Sequence, residues 1–171
     1  EIFNNVLKEF NLIEFATLIN EVSKLASNAD KSVEIFNSVT NEIIIKKIII
    51  RDFEITSFQS VFDIFSKVNY LKSSQILNVI DSEIIVRKSM KSGVNARKIS
   101  QSLKSLFPYN NEKIILVQHQ FLNNSVFLKK INVLNPTDFI HTYANLLIID
   151  PVETFNHLNS KLNNFTIEDF N

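Results

Sequence analysis

The sequence contains no cysteine, no tryptophan, a single glycine and only three prolines among its 171 residues. Without cysteine the chain can form neither disulfides nor thiolate metal sites, which fits a reducing compartment or an organelle interior. One glycine excludes the glycine-rich phosphate loops of nucleotide-binding folds and leaves little of the turn chemistry that β-sandwiches and barrels use. These shortages favour helices joined by short links of Asn, Ser and Asp.

The chain also lacks an excess of either charge, because 18 Lys and Arg residues balance 18 Asp and Glu residues. A nucleic-acid binder of this composition would need its positive charge confined to one face. Long apolar runs are missing too: Lys46 and Lys47 interrupt the isoleucines of 43–50, so no membrane span is expected. Because the first residue is Glu1, we expect a fragment of a longer protein that lacks its initiator and any targeting peptide.

A helical pattern recurs about every 40 residues. Phe10 and Phe15 open a stretch with apolar residues at helical spacing, and Phe53 and Phe58 repeat this arrangement one interval later. Weaker copies begin at Val94, Leu134 and Phe165, the last after a shorter interval than the others. The pattern predicts an all-α fold, an α-solenoid of about four helical-hairpin repeats of roughly 40 residues. The repeats cover about 10–52, 53–93, 94–133 and 134–164 of one array over 1–171, and a fifth begins at 165.

The number of helices in each repeat stays open. A second helical segment matches between Ile35–Val39 and Ile76–Ile80, and Asn41–Lys47 matches Ser82–Lys88 at the same offset along the chain. Either the second helix runs through this last stretch, or a short third helix starts there. Among the links, Gly93 is predicted to be the C′ residue that ends a helix, and the predicted caps are Asp30, Asp138 and Asp150.

The Φ-x-x-x-x-Φ start of each repeat, with helices ending in Ser23-Lys24-Leu25 and Ser66-Lys67-Val68, resembles the octotricopeptide and heptatricopeptide class of helical repeats. The resemblance covers nearly the whole chain, although the intervals are longer than is usual in that class. Nothing resembles the RAP domain that many apicomplexan members carry. The resemblance implies an organellar RNA-binding protein, such as a mitochondrial ribosome component, with RNA and neighbouring proteins as partners and a mitochondrial location. HEAT-like repeats of similar length are an alternative.

Basic pairs recur at equivalent places, once in each of three successive repeats: Lys46-Lys47, Arg87-Lys88 and Lys129-Lys130. Equivalent positions of a solenoid stack along one face, where such pairs would follow a phosphate backbone and release counterions. Three further residues near the same edge would extend this track, namely Arg51, Lys91 and Arg97. The alternative is that each pair complements the helix dipole late in an amphipathic helix and keeps its outer face in water.

Other residue types give weaker indications. The recurring asparagines Asn37, Asn78 and Asn156 would contact bases through their amides, or else bond within the fold. The spacing of Phe53, Phe58, Phe62 and Phe65 is typical of a helix core. No zinc-site spacing relates His119, His141 and His157, and no Gly-x-Ser-x-Gly motif occurs. We therefore predict that the chain is not an enzyme and uses no cofactor and no small-molecule substrate.

The sequence thus predicts an RNA-binding solenoid of an organellar ribonucleoprotein. A protein-interaction scaffold without nucleic acid is the alternative that the balanced net charge favours. A third option is the sensor array of a larger signalling ATPase. Steeply salt-dependent RNA binding would separate the first from the others, because phosphate contacts release counterions.

Overall fold

The computed structural model describes residues 10–25, 29–50, 54–90 and 93–162, and the predicted fifth repeat at Phe165 lies outside them. These ranges contain eleven α-helices and no strand, so the prediction of an all-α fold is confirmed. The helices are α1 Leu12–Lys24, α2 Ala29–Ser38, α3 Asn41–Ile50, α4 Ile55–Val68, α5 Tyr70–Val79, α6 Ser82–Ser89, α7 Ala96–Leu106, α8 Asn111–Leu122, α9 Ser125–Asn132, α10 Pro136–Ile149 and α11 Pro151–Leu162. A 3₁₀ turn, Phe107–Tyr109, joins α7 to α8.

The predicted repeats 10–52, 53–93 and 94–133 each hold three helices. The first helices of these three repeats are α1, α4 and α7, and the first helix of 134–164 is α10. The four helices begin at nearly even intervals along the chain. The predicted hairpin repeats thus carry a short third helix, which answers the question of helix number that the sequence left open. The cause is a side-chain acceptor that caps a new helix start. The bonds are Ile43 N–H to Thr40 Oγ1 at 3.4 Å, Glu83 N–H to Asp81 Oδ1 at 2.9 Å and Val126 N–H to Asn124 Oδ1 at 2.9 Å.

The Φ-x-x-x-x-Φ motif marks the start of the first helix of each repeat. Asn11, Asn95 and Asn135 are the N-caps, and each side chain accepts a bond from the N–H three residues later. The two apolar residues then occupy N′ and N4, the positions of a hydrophobic staple. Glu14 completes a capping box by accepting the Asn11 N–H at 2.8 Å. The motif is thus a device for starting helices.

Successive first helices pack against one another, α1 with α4, α4 with α7, and α7 with α10. The third helix of a repeat also contacts the second helix of the next, α3 with α5 and α6 with α8. Phe65 on α4 is fully buried, and its ring centre lies 4.6 Å from that of Phe36 and 6.0 Å from that of Phe15 in the preceding repeat. Phe58 and Phe62 are buried as predicted, whereas Phe53 lies outside the described residues. Buried aromatic contacts between the first two repeats therefore stabilise their packing.

The predicted helix ends are correct in part. Asp150 caps α11 by accepting the Glu153 N–H at 3.1 Å. Asp30 and Asp138 lie instead in the first turns of their helices, where a carboxylate meets the positive end of the helix dipole. Gly93 has a positive φ of 97°, which residues with a side chain disfavour. It follows the C-cap of α6 by three residues, so it is a turn residue and not C′.

Replacing Asn95 with alanine should lower the free energy of unfolding by about 1 kcal/mol, because the Lys98 N–H loses its side-chain acceptor. Glu54 is the matched control: it is the N-cap of α4, and its side chain makes no capping bond. Glu54→Ala should therefore change the stability by less than about 0.5 kcal/mol. Urea unfolding followed by circular dichroism measures both variants, and equal losses would show that the Asn95 side chain does not stabilise α7.

Candidate nucleic-acid interface

All three basic pairs lie on the third helices of their repeats, α3, α6 and α9. In every pair the first residue is exposed to solvent, and the second is half-buried or buried. This difference follows from helix geometry, because adjacent residues of an α-helix point about 100° apart. The two members of a pair therefore have different surroundings.

The second residue of each pair donates to backbone carbonyls of another helix or link. Lys47 Nζ donates to Phe10 O at 3.1 Å, and Lys130 Nζ donates to Val94 O at 2.7 Å. Both acceptors are N′ residues, so each lysine joins the third helix of a repeat to the start of its first helix. These bonds favour a structural role for the two lysines over a contact with RNA phosphates.

Lys88 is the most deeply placed member of the pairs, with 9% of its surface exposed. Its Nζ donates to Ile48 O at 2.6 Å and to Ile49 O at 2.7 Å, which are carbonyls of the last turn of α3. The last carbonyls of a helix have no partner within it, and a cationic donor also complements the negative end of the dipole. Lys88 thus joins two successive repeats, and its ammonium group is occupied inside the fold.

Lys72 on α5 plays a similar part, although the sequence analysis did not single it out. Its Nζ donates to Phe36 O at 2.6 Å and to Val39 O, and lies 4.8 Å from the centre of the Phe36 ring. These groups belong to the end of α2 in the preceding repeat. Burial lowers the pKa of Lys72. The sequence signal is faint: Lys72 stands three residues after the N-cap Asn69, a spacing that Lys113 and Asn110 share.

The first residues of the pairs are Lys46, Arg87 and Lys129. They are the sixth, sixth and fifth residues of α3, α6 and α9. Within the described ranges, none of the three side chains has a hydrogen bond or an ion pair. Glu42 and Glu83 precede Lys46 and Arg87 by four residues, a spacing at which opposite charges on a helix attract weakly. Three equivalent helices therefore each present one exposed cation to solvent.

Of the three residues proposed to extend the track, Arg97 alone lies within the described residues. Arg97 Nη1 lies 2.5 Å from Asp138 Oδ1, and this ion pair joins the first turns of the neighbouring helices α7 and α10. The pairing favours a link between repeats over a phosphate contact. Arg51 and Lys91 fall outside the described residues.

Two of the recurring asparagines join successive second helices. Asn69 Nδ2 donates to Asn37 Oδ1 at 2.9 Å, and Asn110 Nδ2 lies 3.4 Å from Asn78 Oδ1. Both donors are N-caps, so the bond connects the end of one second helix to the start of the next. This geometry favours bonding within the fold over base recognition. Asn156 is exposed on α11 and does not take part in such a link.

The third link of this kind uses a different pair of residues. His119 stands one repeat interval after Asn78, and its Nε2 lies 2.7 Å from Oδ2 of Asp150, the cap of α11. The hydrogen bond from His119 holds the pKa of Asp150 below its usual range, and the Glu153 N–H lowers it further. Because the residue types change, the sequence pattern of asparagines did not reveal this equivalence.

The other histidines offer no sign of chemistry. His157 Nδ1 lies 3.0 Å from the hydroxyl of Tyr143, whose pKa burial raises to about 12, and His141 is exposed. Over the described parts of the chain, no three His, Asp or Glu side chains come together as metal ligands. No helix in those parts is both long and apolar enough to cross a bilayer.

Comparison with known proteins identifies no relative. Protein-family models, curated proteins and solved structures all give no significant match to this chain. The resemblance to octotricopeptide repeats therefore depends on the sequence pattern, and the case for a function depends on the geometry above.

Replacing Lys88 with methionine should lower the free energy of unfolding by about 2–3 kcal/mol, because two shielded carbonyls lose a charged donor. The adjacent Arg87→Met removes an exposed cation of similar size, and should cost less than about 0.5 kcal/mol. Urea unfolding of both variants measures the difference. If the two variants lost the same stability, the structural role assigned to Lys88 would be wrong.

Replacing Asp150 with asparagine should reduce the acid sensitivity of the fold. A carboxylate with a lowered pKa stabilises the folded state above its unfolded-state pKa of about 3.9, and the contribution disappears as pH falls through the folded-state value. The difference in unfolding free energy between wild type and Asp150→Asn should therefore shrink as pH falls from about 5 towards 2. Urea titrations at several pH values test this, and a difference that stays constant with pH would contradict it.

Proposed function

We propose that the repeats stack into an α-solenoid and that this array binds single-stranded RNA along its third helices. The observation that carries the proposal is the recurrence of one exposed, unpaired cation on each of α3, α6 and α9, namely Lys46, Arg87 and Lys129. The lysine beside each is engaged with carbonyls and so holds its helix in place. The proposed track is therefore one cation per repeat, half of what the sequence pattern alone predicted.

The solenoid is supported by the order of contacts. First helices touch in the sequence α1, α4, α7 and α10, and third helices touch the second helices that follow them in the next repeat. Units that contact mainly their neighbours, with equivalent residues at equivalent places, are typical of a quasi-one-dimensional array. In such an array the three exposed cations lie along one side at regular intervals.

RNA phosphates match a row of single, separated positive charges better than an acidic protein surface does, because the phosphate backbone repeats its charge at regular steps. Neutralising phosphates releases condensed counterions, which gives affinity even to a chain with balanced net charge. The resemblance to organellar RNA-binding repeats supports the same function. On that resemblance we propose a place in an organellar, mitochondrial ribonucleoprotein such as a ribosome.

A protein-interaction scaffold without nucleic acid is the second candidate, and exposed apolar side chains favour it. On the last two helices, Ile140, Val152 and Phe155 expose 65%, 71% and 53% of their surface. Exposed apolar side chains mark a contact with another protein where they form one contiguous patch. The same binding experiment separates the two candidates, since a protein scaffold predicts no RNA affinity.

The triple variant Lys46→Ser, Arg87→Ser, Lys129→Ser should lose most RNA affinity. In the wild type, three phosphate contacts on a single strand predict that log K falls against log salt with a slope of about −2. The matched control removes three exposed cations from first helices, Lys67→Ser, Lys98→Ser and Lys104→Ser, and should keep both affinity and slope. Fluorescence anisotropy with a labelled oligoribonucleotide at several salt concentrations measures both quantities.

Equal losses in the triple variant and its control would show that binding follows net charge and not a track on the third helices. Absence of RNA binding by the wild type would remove the proposal and leave the protein scaffold. Circular dichroism should show that all variants remain folded, because the six substituted side chains are exposed and make no hydrogen bond in the described residues.

A further inference from the structure

A groove of about 440 Å³ lies beside Arg87, between α6 and the junction of α8 and α9. Val86 and Met90 on one side and Val126 on the other form its apolar walls. Four further lining residues are polar, namely Glu83, Gln120, Asn123 and Asn124. The groove thus adjoins the middle cation of the proposed RNA track and combines flat apolar contact with hydrogen-bonding groups.

The polar groups of this groove are only partly used by the fold. Gln120 Nε2 donates to Ser82 Oγ at 3.2 Å, while Gln120 Oε1 is shielded from solvent and has no hydrogen-bond partner among the described residues. Asn123 Nδ2 donates to His119 O, so the side-chain oxygen of Asn123, Oδ1, is available to another donor. The Glu83 carboxylate also has no partner within the described ranges. Three acceptor groups, the Glu83 carboxylate and the side-chain oxygens of Gln120 and Asn123, therefore have no partner among the described residues.

Two other grooves lack this combination. One, of about 350 Å³, is lined by Asn37 and Asn69, which bond to each other, and by Lys72, whose ammonium group is occupied. The other, of about 370 Å³, contains Lys130 and Asp138, which are already paired with Val94 O and Arg97. Of these three grooves, the one beside Arg87 alone offers an unpaired cation together with unpaired acceptors.

We propose that this groove holds one base of the RNA strand whose phosphates the exposed cations contact, and that it prefers a base with an exocyclic amino group. The inference rests on the proposed function. Single-stranded RNA is recognised through bases that leave the stack, contact side chains with their faces and hydrogen-bond through their edges. The side chains of Val86, Met90 and Val126 would contact the face of the base, and its amino group would donate to the exposed acceptors of Glu83 and Asn123. Arg87 at the rim balances the neighbouring phosphate.

The test compares three labelled single strands of equal length by anisotropy: oligo(C), oligo(U) and an abasic ribose-phosphate oligomer. Cytosine and uracil have the same shape, but cytosine presents an amino group where uracil presents an oxygen. We expect oligo(C) to bind about fivefold more tightly than oligo(U) or the abasic strand, since one well-placed base contact is worth at least that factor.

A groove-filling variant isolates the site. Val126→Met places an unbranched side chain in the groove without adding a ring or a charge, and Val79→Met alters an exposed valine outside it. Val126→Met should reduce oligo(C) binding to the abasic level and leave abasic binding unchanged, while Val79→Met should keep the preference for oligo(C). Circular dichroism checks that both variants fold.

Equal affinity of the wild type for oligo(C) and oligo(U), or an oligo(C) preference that survives in Val126→Met, would overturn the base site while the phosphate track stands. If the wild type binds none of the strands, including the abasic one, the proposed function itself fails, and the base site fails with it.

Discussion

The need to satisfy the backbone groups at helix ends governs much of this structure. The described residues contain eleven short helices, and every helix leaves about four N–H and four carbonyl groups without partners in its own hydrogen-bond ladder. A chain of short helices therefore has many such groups for its length. Asparagine side chains accept hydrogen bonds from N–H groups at the N-terminal ends of helices. Buried lysines donate hydrogen bonds to carbonyl groups at some of the C-terminal ends.

This constraint explains why asparagine recurs at the starts of helices. Asparagine is an ordinary turn residue in most proteins, but here it caps six of the described helices, including those that begin at Leu12, Tyr70 and Ala96. Two of these caps also bond to Asn37 and Asn78 of the preceding repeat. The same side chains thus start helices and hold successive repeats in register.

The basic side chains differ in whether their charged groups are bonded within the fold or exposed to solvent. Lys72 and Lys88 reach into the end of a helix in the preceding repeat, where their ammonium groups meet carbonyl oxygens and cannot attract a ligand. Of the three basic pairs on the third helices, Lys46, Arg87 and Lys129 are the members that remain exposed to solvent. A function that depends on charge must use this second group, which is why the proposed RNA track follows it.

The sequence by itself determined the helical class, the intervals between repeats and the apolar stripe of α4, because these depend on local spacing of apolar residues and on N-cap chemistry. Phe62, for example, could be assigned to the core from its neighbours along the chain, whereas the N-cap Asn95 was not predicted. Only the tertiary structure decided which member of each basic pair is available, that Arg97 pairs with Asp138, and that His119 takes the place of an asparagine. Those outcomes depend on contacts between residues far apart in the chain. The packing of one repeat on the next determines these contacts, and a periodic pattern along the chain does not specify that packing.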